Sequence, residues 1–359
     1  MKLFTIGPVE MFDVVKNIRR NTNVPYFRTS EFSKLMLDTD RLLKKFIGTT
    51  ETSDAVYLTG SGTAAMEATI INCFSKEDTL LIINGGTFGQ RFVDICNIHG
   101  IPHVDIELDY GEQFSSNHLK KFNDVKLTGL LVNIDETSTG QLYDIKLISE
   151  FCKEKNIFLV VDAISSFLCD PFDMDKYGID VVIIGSQKGL CVEPGMSIVI
   201  LGKKIMAERV SRSQITSLYF DFKIYKENFK RGQTPFTPAV GICIEMNASL
   251  HMIEKKGLEK HLQEISDRAL DFRRKVNSLP VTIPQYPLSN AITPIIFEQN
   301  IAYQVFEMLK DRYEIMVNPT GGKLHDKSLR IAHVGQLTKT DNDLIIRSIS
   351  EVVSELLIH

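Results

Sequence analysis

The sequence predicts an α/β fold: a mostly parallel sheet with helices on both faces, followed by a smaller α+β region. Three observations predict it. Seven short apolar runs recur between residues 55 and 201, several without the alternation of a half-exposed strand, as expected of strands buried on both faces. Helical patterns separate them. After about residue 238 the pattern changes to two long helical stretches and then to mixed elements.

The expected strands are 55–58, 79–83, 103–106, 129–133, 157–162, 181–185 and 197–201, with helices at 63–74, 89–99 and 145–154 among them. Residues 239–254 and 257–277 read as two helices broken near Lys256 and Gly257, a bridge between domains. Strand-like 291–297, a helix at 302–311, strand-like 328–332 and a helix from 341 to 357 then read as a small domain. Thr340 and Asp343 have the spacing of a capping box for that last helix. The expected division is a large domain over 15–238 and a small one built from 1–14 and 239–359.

Composition narrows the function. With 43% hydrophobic and 24% charged residues in 359, the chain is an ordinary globular one. A net charge of -4, with basic and acidic residues interspersed, offers no basic face for nucleic acid. The six cysteines form no C-x-x-C pair and no cluster with histidine, so they read as reduced thiols, not zinc ligands or a disulfide framework, and no metal is expected. The N-terminus lacks an apolar run of signal-peptide length, and no segment reaches the roughly 18 apolar residues of a membrane span. A cytoplasmic protein without membrane contact is expected.

In open α/β sheets, ligands collect beyond the carboxyl ends of the strands, so the residues after each apolar run carry the chemistry. Thr59-Gly60-Ser61-Gly62-Thr63 joins a strand to a helix, and its backbone N–H groups, hydroxyls and helix dipole suit a phosphate. By itself such a turn is often a plain connection. Asp162 ends an apolar strand, where a carboxylate is costly to desolvate unless donors or a cation meet it. It could cap the next helix with Ser165 and Ser166, or pair with a protonated pyridine nitrogen and hold that ring as an electron sink. Lys188 follows the run 181–187 and precedes Pro194-Gly195; a lysine on such a loop is ordinarily solvated, but its apolar and glycine neighbours here are not those of a surface loop.

Taken together, these residues resemble the class V aminotransferases, the family of alanine:glyoxylate, serine:pyruvate and 2-aminoethylphosphonate:pyruvate transaminases. The matching segments run in the family's order: Thr5-Ile6-Gly7-Pro8, 60–67, 84–91, 136–140, Val161-Asp162-Ala163, Gly185-Ser186-Gln187-Lys188, 234–238 and Leu329-Arg330-Ile331. The resemblance implies pyridoxal 5'-phosphate (PLP) as cofactor, the fold type I of PLP-dependent transferases with a seven-stranded sheet, and a homodimer. It implies ping-pong transfer from a small amino compound (2-aminoethylphosphonate, alanine or serine) to a 2-oxoacid such as pyruvate or glyoxylate.

It also implies roles. Lys188 matches the Schiff-base lysine, which becomes the proton-moving base once the incoming amine releases it. Asp162 matches the carboxylate at the pyridine nitrogen. Ser61, Gly62 and Thr63 match the phosphate cup, with Gln187 a further contact, and Thr137 matches a hydroxyl at the cofactor's O3'. Phe88 matches the aromatic that stacks on the ring; without the resemblance it would be core packing. Thr237 matches a hydroxyl that reaches the phosphate from the neighbouring subunit, or else caps the helix expected from about Pro238. Arg330 matches the guanidinium that grips the substrate carboxylate, and Gly7 lies in a loop near the substrate. Arg28 reads as structural. Two departures leave the donor open: many relatives have a proline before Gly7, and Thr63 stands where alanine:glyoxylate enzymes often have histidine.

Three other readings carry their own requirements. A cysteine desulfurase of the same fold needs a thiol in the small domain and a histidine on the ring, but no cysteine follows Cys243 and the stacking position is Phe88. An NAD-dependent dehydrogenase needs an acid at the end of the next strand, where Asn84 stands. A non-catalytic relative has no need to keep Lys188, Asp162 and Arg330 together.

Overall fold

A computed structural model of the protein describes residues 1–21, 23–49 and 53–358. All seven expected strands form, and they join one sheet in the order Asp54–Thr59, Met196–Leu201, Val181–Gly185, Phe158–Asp162, Gly129–Asn133, Leu80–Asn84, His103–Glu107. Neighbours pair in parallel except Met196–Leu201, which runs antiparallel to both of its neighbours.

The strands lack alternation because both faces are buried, and their alternate residues enter two different cores. Leu81, Leu130, Val132, Leu159, Val161, Val182 and Ile184 pack with one set of helices that includes Ser30–Ile47, Ile145–Lys155 and Val240–Lys256. Leu80, Ile82, Leu131, Val160, Val181 and Ile183 pack on the opposite face with Gly62–Cys73 and Thr87–His99. The period of two is present, but it separates one apolar face from another.

The expected break between the long helices is real: Gly257, at φ 89°, separates Val240–Lys256 from Leu258–Val276. The first contributes Cys243, Met246 and Leu250 to the core of the large sheet, while the second contributes Phe272 and Val276 to a third core. That core lies against a five-stranded sheet ordered Lys2–Phe4, Ile315–Pro319, Ser328–Ala332, Ile292–Phe297, Val281–Thr282, with helices Ala302–Tyr313 and Lys339–Ile358. Lys2–Phe4 pairs in parallel with Ile315–Pro319, so the chain's first residues lie in its last sheet and the Gly7 loop is tied to both ends of the sequence.

The capping box of the last helix corrects the expectation. It is made by Thr338 and Asp341, not Thr340 and Asp343: Thr338 N donates to Asp341 Oδ2 (2.7 Å) and Asp341 N to Thr338 Oγ1 (3.2 Å). Both pairs have the same spacing, but Asp343 is drawn away by Lys275 (2.5 Å) and Lys2 meets Asp341 (3.1 Å). Tertiary contacts thus choose between two locally equivalent registers. All six cysteines are buried and unpaired, and no helix among the described residues is long and apolar enough to cross a membrane.

Candidate active site

The carboxyl ends of the central strands converge on a cavity of about 240 Å³. Ser61, Gly62, Thr63, Phe88, Thr137, Asp162, Gln187, Lys188 and Gly7 all line it, though they are scattered over the sequence from residue 7 to residue 188. Sheet order explains the convergence. Phe158–Asp162 and Val181–Gly185 are adjacent parallel strands, so Asp162 and the loop that carries Lys188 emerge side by side.

Lys188 is 7% exposed, and its Nζ makes no hydrogen bond to any described residue. Burial disfavours the ammonium and brings the lysine down to about 8, although the carboxyls of Asp135 and Asp162 oppose that shift. Its stem packs on Gly7, where a Cβ would fall 2.9 Å from Lys188 Cδ and 3.0 Å from Cε. A side chain at position 7 would thus have to displace the Lys188 stem. The Gly7 amide region is held by Ile6 N donating to Asn318 Oδ1 (2.7 Å).

Asp162 is also buried, and burial pushes it up to about 6. Two donors restrain the shift: Ile164 N at 2.8 Å and Asn133 Nδ2 at 2.5 Å. Asn133 lies directly opposite Asp162 in the ladder, so its amide is delivered by strand register. The Thr137 hydroxyl sits 2.5 Å from Ser165 Oγ.

Ser61 precedes the helix Gly62–Cys73, and its hydroxyl makes no capping bond, leaving the helix N-terminus open to an anion. The Arg91 guanidinium donates to Thr63 Oγ1 (3.1 Å) and lies 4.9 Å from the Phe88 ring centroid; Lys188 Nζ is 5.9 Å from the same ring. Phe88 is set in place by a fully buried carboxylate, Glu136, which accepts from Gly89 N (2.9 Å), Phe88 N (3.4 Å) and Ser138 N (3.1 Å). Gly86 makes room for this arrangement, since a Cβ there would lie 2.2 Å from Ser138 Oγ.

Glu136→Ala removes an acceptor from three backbone amides. It should lower stability by about 2–4 kcal/mol in urea unfolding, with Glu136→Gln costing less because one acceptor oxygen survives. An alanine variant of wild-type stability would show that the amides find other partners.

The family model for class V aminotransferases matches residues 15–335. The chain belongs to that family. Two relatives extend the match: the soluble hydrogenase 42 kDa subunit of Anabaena cylindrica is 30% identical, covering 92% of this chain and 87% of its own. The L-aspartate–glyoxylate aminotransferase of Paracoccus denitrificans is 26% identical, covering 94% and 87%. Among solved structures, an aspartate aminotransferase of subgroup IV from Thermus thermophilus superposes with a TM-score of 0.90 at 24% identity, covering 99% of both chains.

Class V aminotransferases work through PLP, and the residues present fit that group. The pocket pairs an unbonded buried amine with a buried carboxyl, and it adds an aromatic face and an open helix N-terminus.

Two residues of the expected site of this aminotransferase lie outside the cavity lining. Arg330 stands behind Thr137: its Nη1 donates to Thr137 O (3.1 Å) and its Nη2 to Pro319 O (2.9 Å), while Nε is buried without a partner. Thr237 is exposed. It does not cap a helix, because Val240–Lys256 has Ala239 at its cap, and Ala239 N donates instead to Thr59 Oγ1 (3.1 Å). Arg28 donates to Thr234 O and Pro235 O (2.8 Å each), clamping the segment that presents Thr237.

Sequence reasoning missed Asn133, Asp135, Ser165 and Arg91 as lining residues. Arg91 and Ser165 stood inside or beside the matching segments, a usable signal. Asn133 and Asp135 carried none, since their importance depends on which strand lies beside 158–162.

Proposed function

We propose that this class V aminotransferase moves the amino group of 2-aminoethylphosphonate, alanine or serine to a 2-oxoacid such as pyruvate or glyoxylate, in two half-reactions at the Lys188 pocket. The observation that carries this reading is Lys188 itself, a buried amine with no hydrogen bond, sharing one cavity with Asp162 and an open helix N-terminus. The similarity to an L-aspartate–glyoxylate enzyme supports glyoxylate as the acceptor.

PLP, when bound, supplies an electron sink for charge left at the substrate Cα. Lys188 would anchor it through Nζ and, once displaced by the donor, take the proton from the donor's Cα. Asp162 would meet the ring nitrogen, Thr137 the ring hydroxyl, and Phe88 the ring face. Ser61, Gly62, Thr63 and Gln187 would hold the phosphate, with Thr237 of a second copy completing the cup in a homodimer. Arg330 would grip the carboxylate of the 2-oxoacid, and Gly7 would keep the Lys188 stem in line with it.

With Lys188 at about 8, half of its amine is neutral at that pH, against about one part in 300 for an unperturbed lysine. Exchange of the donor's Cα hydrogen should therefore rise with pH and level off above about 8. Arg330→Ala should raise the 2-oxoacid KM by about tenfold to a hundredfold with a smaller effect on kcat; an unchanged KM removes Arg330 from that role. The decisive test is an absorbance titration of the purified holoenzyme. The cofactor band should disappear with one amine and return with glyoxylate or pyruvate, whereas a band indifferent to every amine would overturn the reading.

A further inference from the structure

Arg91 lines the same cavity, is partly exposed and has no part in the roles described above. It stands one turn after Phe88 in the helix Thr87–His99, a spacing that lays its guanidinium against the ring, 4.9 Å from the centroid. From there it reaches the second residue of the helix Gly62–Cys73 and donates to Thr63 Oγ1 (3.1 Å), and no carboxylate among the described residues forms an ion pair with it. Because the Thr63 oxygen accepts from Arg91, the hydroxyl hydrogen is turned away from Arg91 and is given to no described residue, so it remains free to donate. A hydroxyl that accepts from a cation is also the stronger donor, since each bond in such a chain polarises the next. Charge adds a separate argument. The residues proposed to hold the cofactor's phosphate, Ser61, Gly62, Thr63 and Gln187, include no charged side chain. A phosphate monoester carries about −1.5 to −2 at neutral pH, and a helix N-terminus answers it with only roughly +0.5. The other cation lining the cavity is Lys188, whose proposed role commits its nitrogen elsewhere.

We propose that Arg91 is the positioning residue of the phosphate cup: it holds the Thr63 hydroxyl as a donor and supplies the positive charge that the cup otherwise lacks, so that the site selects a phosphorylated pyridoxal over an unphosphorylated one. This rests on the aminotransferase reading and deepens it. Arg91 acts on the phosphate through Thr63, and its contact with the Phe88 ring fixes the guanidinium on that side of the cavity. Loss of Arg91 therefore has two separable consequences. The phosphate contribution disappears for pyridoxal 5'-phosphate alone, whereas any disturbance of the Phe88 ring falls equally on pyridoxal, which has the same ring and no phosphate.

The test strips the cofactor from the wild type and from Arg91→Gln, then titrates each with pyridoxal 5'-phosphate and with pyridoxal, following absorbance. The expected result is a pyridoxal 5'-phosphate Kd raised about tenfold or more in the variant, with the pyridoxal Kd within about twofold. Arg91→Lys, which keeps the charge, should recover part of the loss. In a Thr63→Val background Arg91→Gln should cost clearly less than it does with Thr63 present, because the two residues act as one unit; an equal cost in both backgrounds would overturn the route through Thr63. An unchanged pyridoxal 5'-phosphate Kd, or equal losses for both compounds with a lowered Tm, would overturn the proposal by making Arg91 structural. It would equally be overturned by a holoenzyme that keeps its cofactor affinity and loses affinity only for L-aspartate and 2-aminoethylphosphonate, which would place Arg91 at the donor's second anionic group. Arg91→Met repeats the comparison should the glutamine variant not fold. Wild-type protein that binds no pyridoxal 5'-phosphate overturns the aminotransferase reading itself, and the role of Arg91 with it.

Discussion

Lys188→Ala is expected to reduce transamination by at least about 10⁴-fold, because in the proposed function this one side chain would both anchor the cofactor and supply the proton-moving base. The size of this loss follows from the surroundings. Among the residues lining the cavity the other cation is Arg91, whose guanidinium cannot serve as a neutral amine and is engaged with Thr63. The same variant should fold, since Lys188 donates no hydrogen bond and its removal leaves no acceptor unmet. Steady-state kcat tests the first expectation, and mass spectrometry after borohydride treatment should find the cofactor fixed on wild-type Lys188 and absent from the variant. A variant that retained more than about a hundredth of the activity would mean that another group moves the proton.

Asp162→Asn is the second large effect. Neutralising the carboxyl would remove the charge-assisted bond proposed between Asp162 and the ring nitrogen, an expected loss of about 3 kcal/mol, or roughly 10²-fold in kcat, with weaker cofactor retention. The sign of the pH dependence follows from a carboxyl held near 6 by burial. Below that pH it is neutral, so wild-type retention of the cofactor should weaken as pH falls through or below about 6, while the asparagine variant shows no such limb. Without cofactor the effect on folding runs the other way. A carboxyl whose folded value is raised contributes stability below the unfolded value of 3.8, and that contribution is lost as pH rises through about 6. The cofactor-free asparagine variant should therefore be no less stable than the wild type at pH 8 in urea unfolding. A marked loss there would mean that the bonds from Asn133 and Ile164 outweigh the desolvation of the charge.

Lys188 and Asp162 are legible in the sequence because each follows or ends an apolar strand, and a charged group in that position needs a reason. The strands are legible for a similar cause: an uninterrupted apolar run such as Val181–Gly185 is explained by burial on both faces, a property of the residues themselves. Glu136 is legible only in part. Its segment stands out, but the three amides that it gathers come from residues 88, 89 and 138, and their meeting depends on how a helix start folds back over a turn.

By itself, then, the sequence determined the seven strands, the helices among them, the break at Gly257, and the candidate lysine, carboxylate and phosphate turn, because hydrophobic period and local turn chemistry act over a few neighbouring residues. Only the tertiary structure decided the rest. It placed Met196–Leu201 antiparallel among parallel strands and drew Lys2–Phe4 into the last sheet. It selected Thr338 over Thr340 as the cap and set Asn133 opposite Asp162. Each of these depends on which distant segment becomes a neighbour, and that choice is made by the packing of whole faces, which local sequence does not encode.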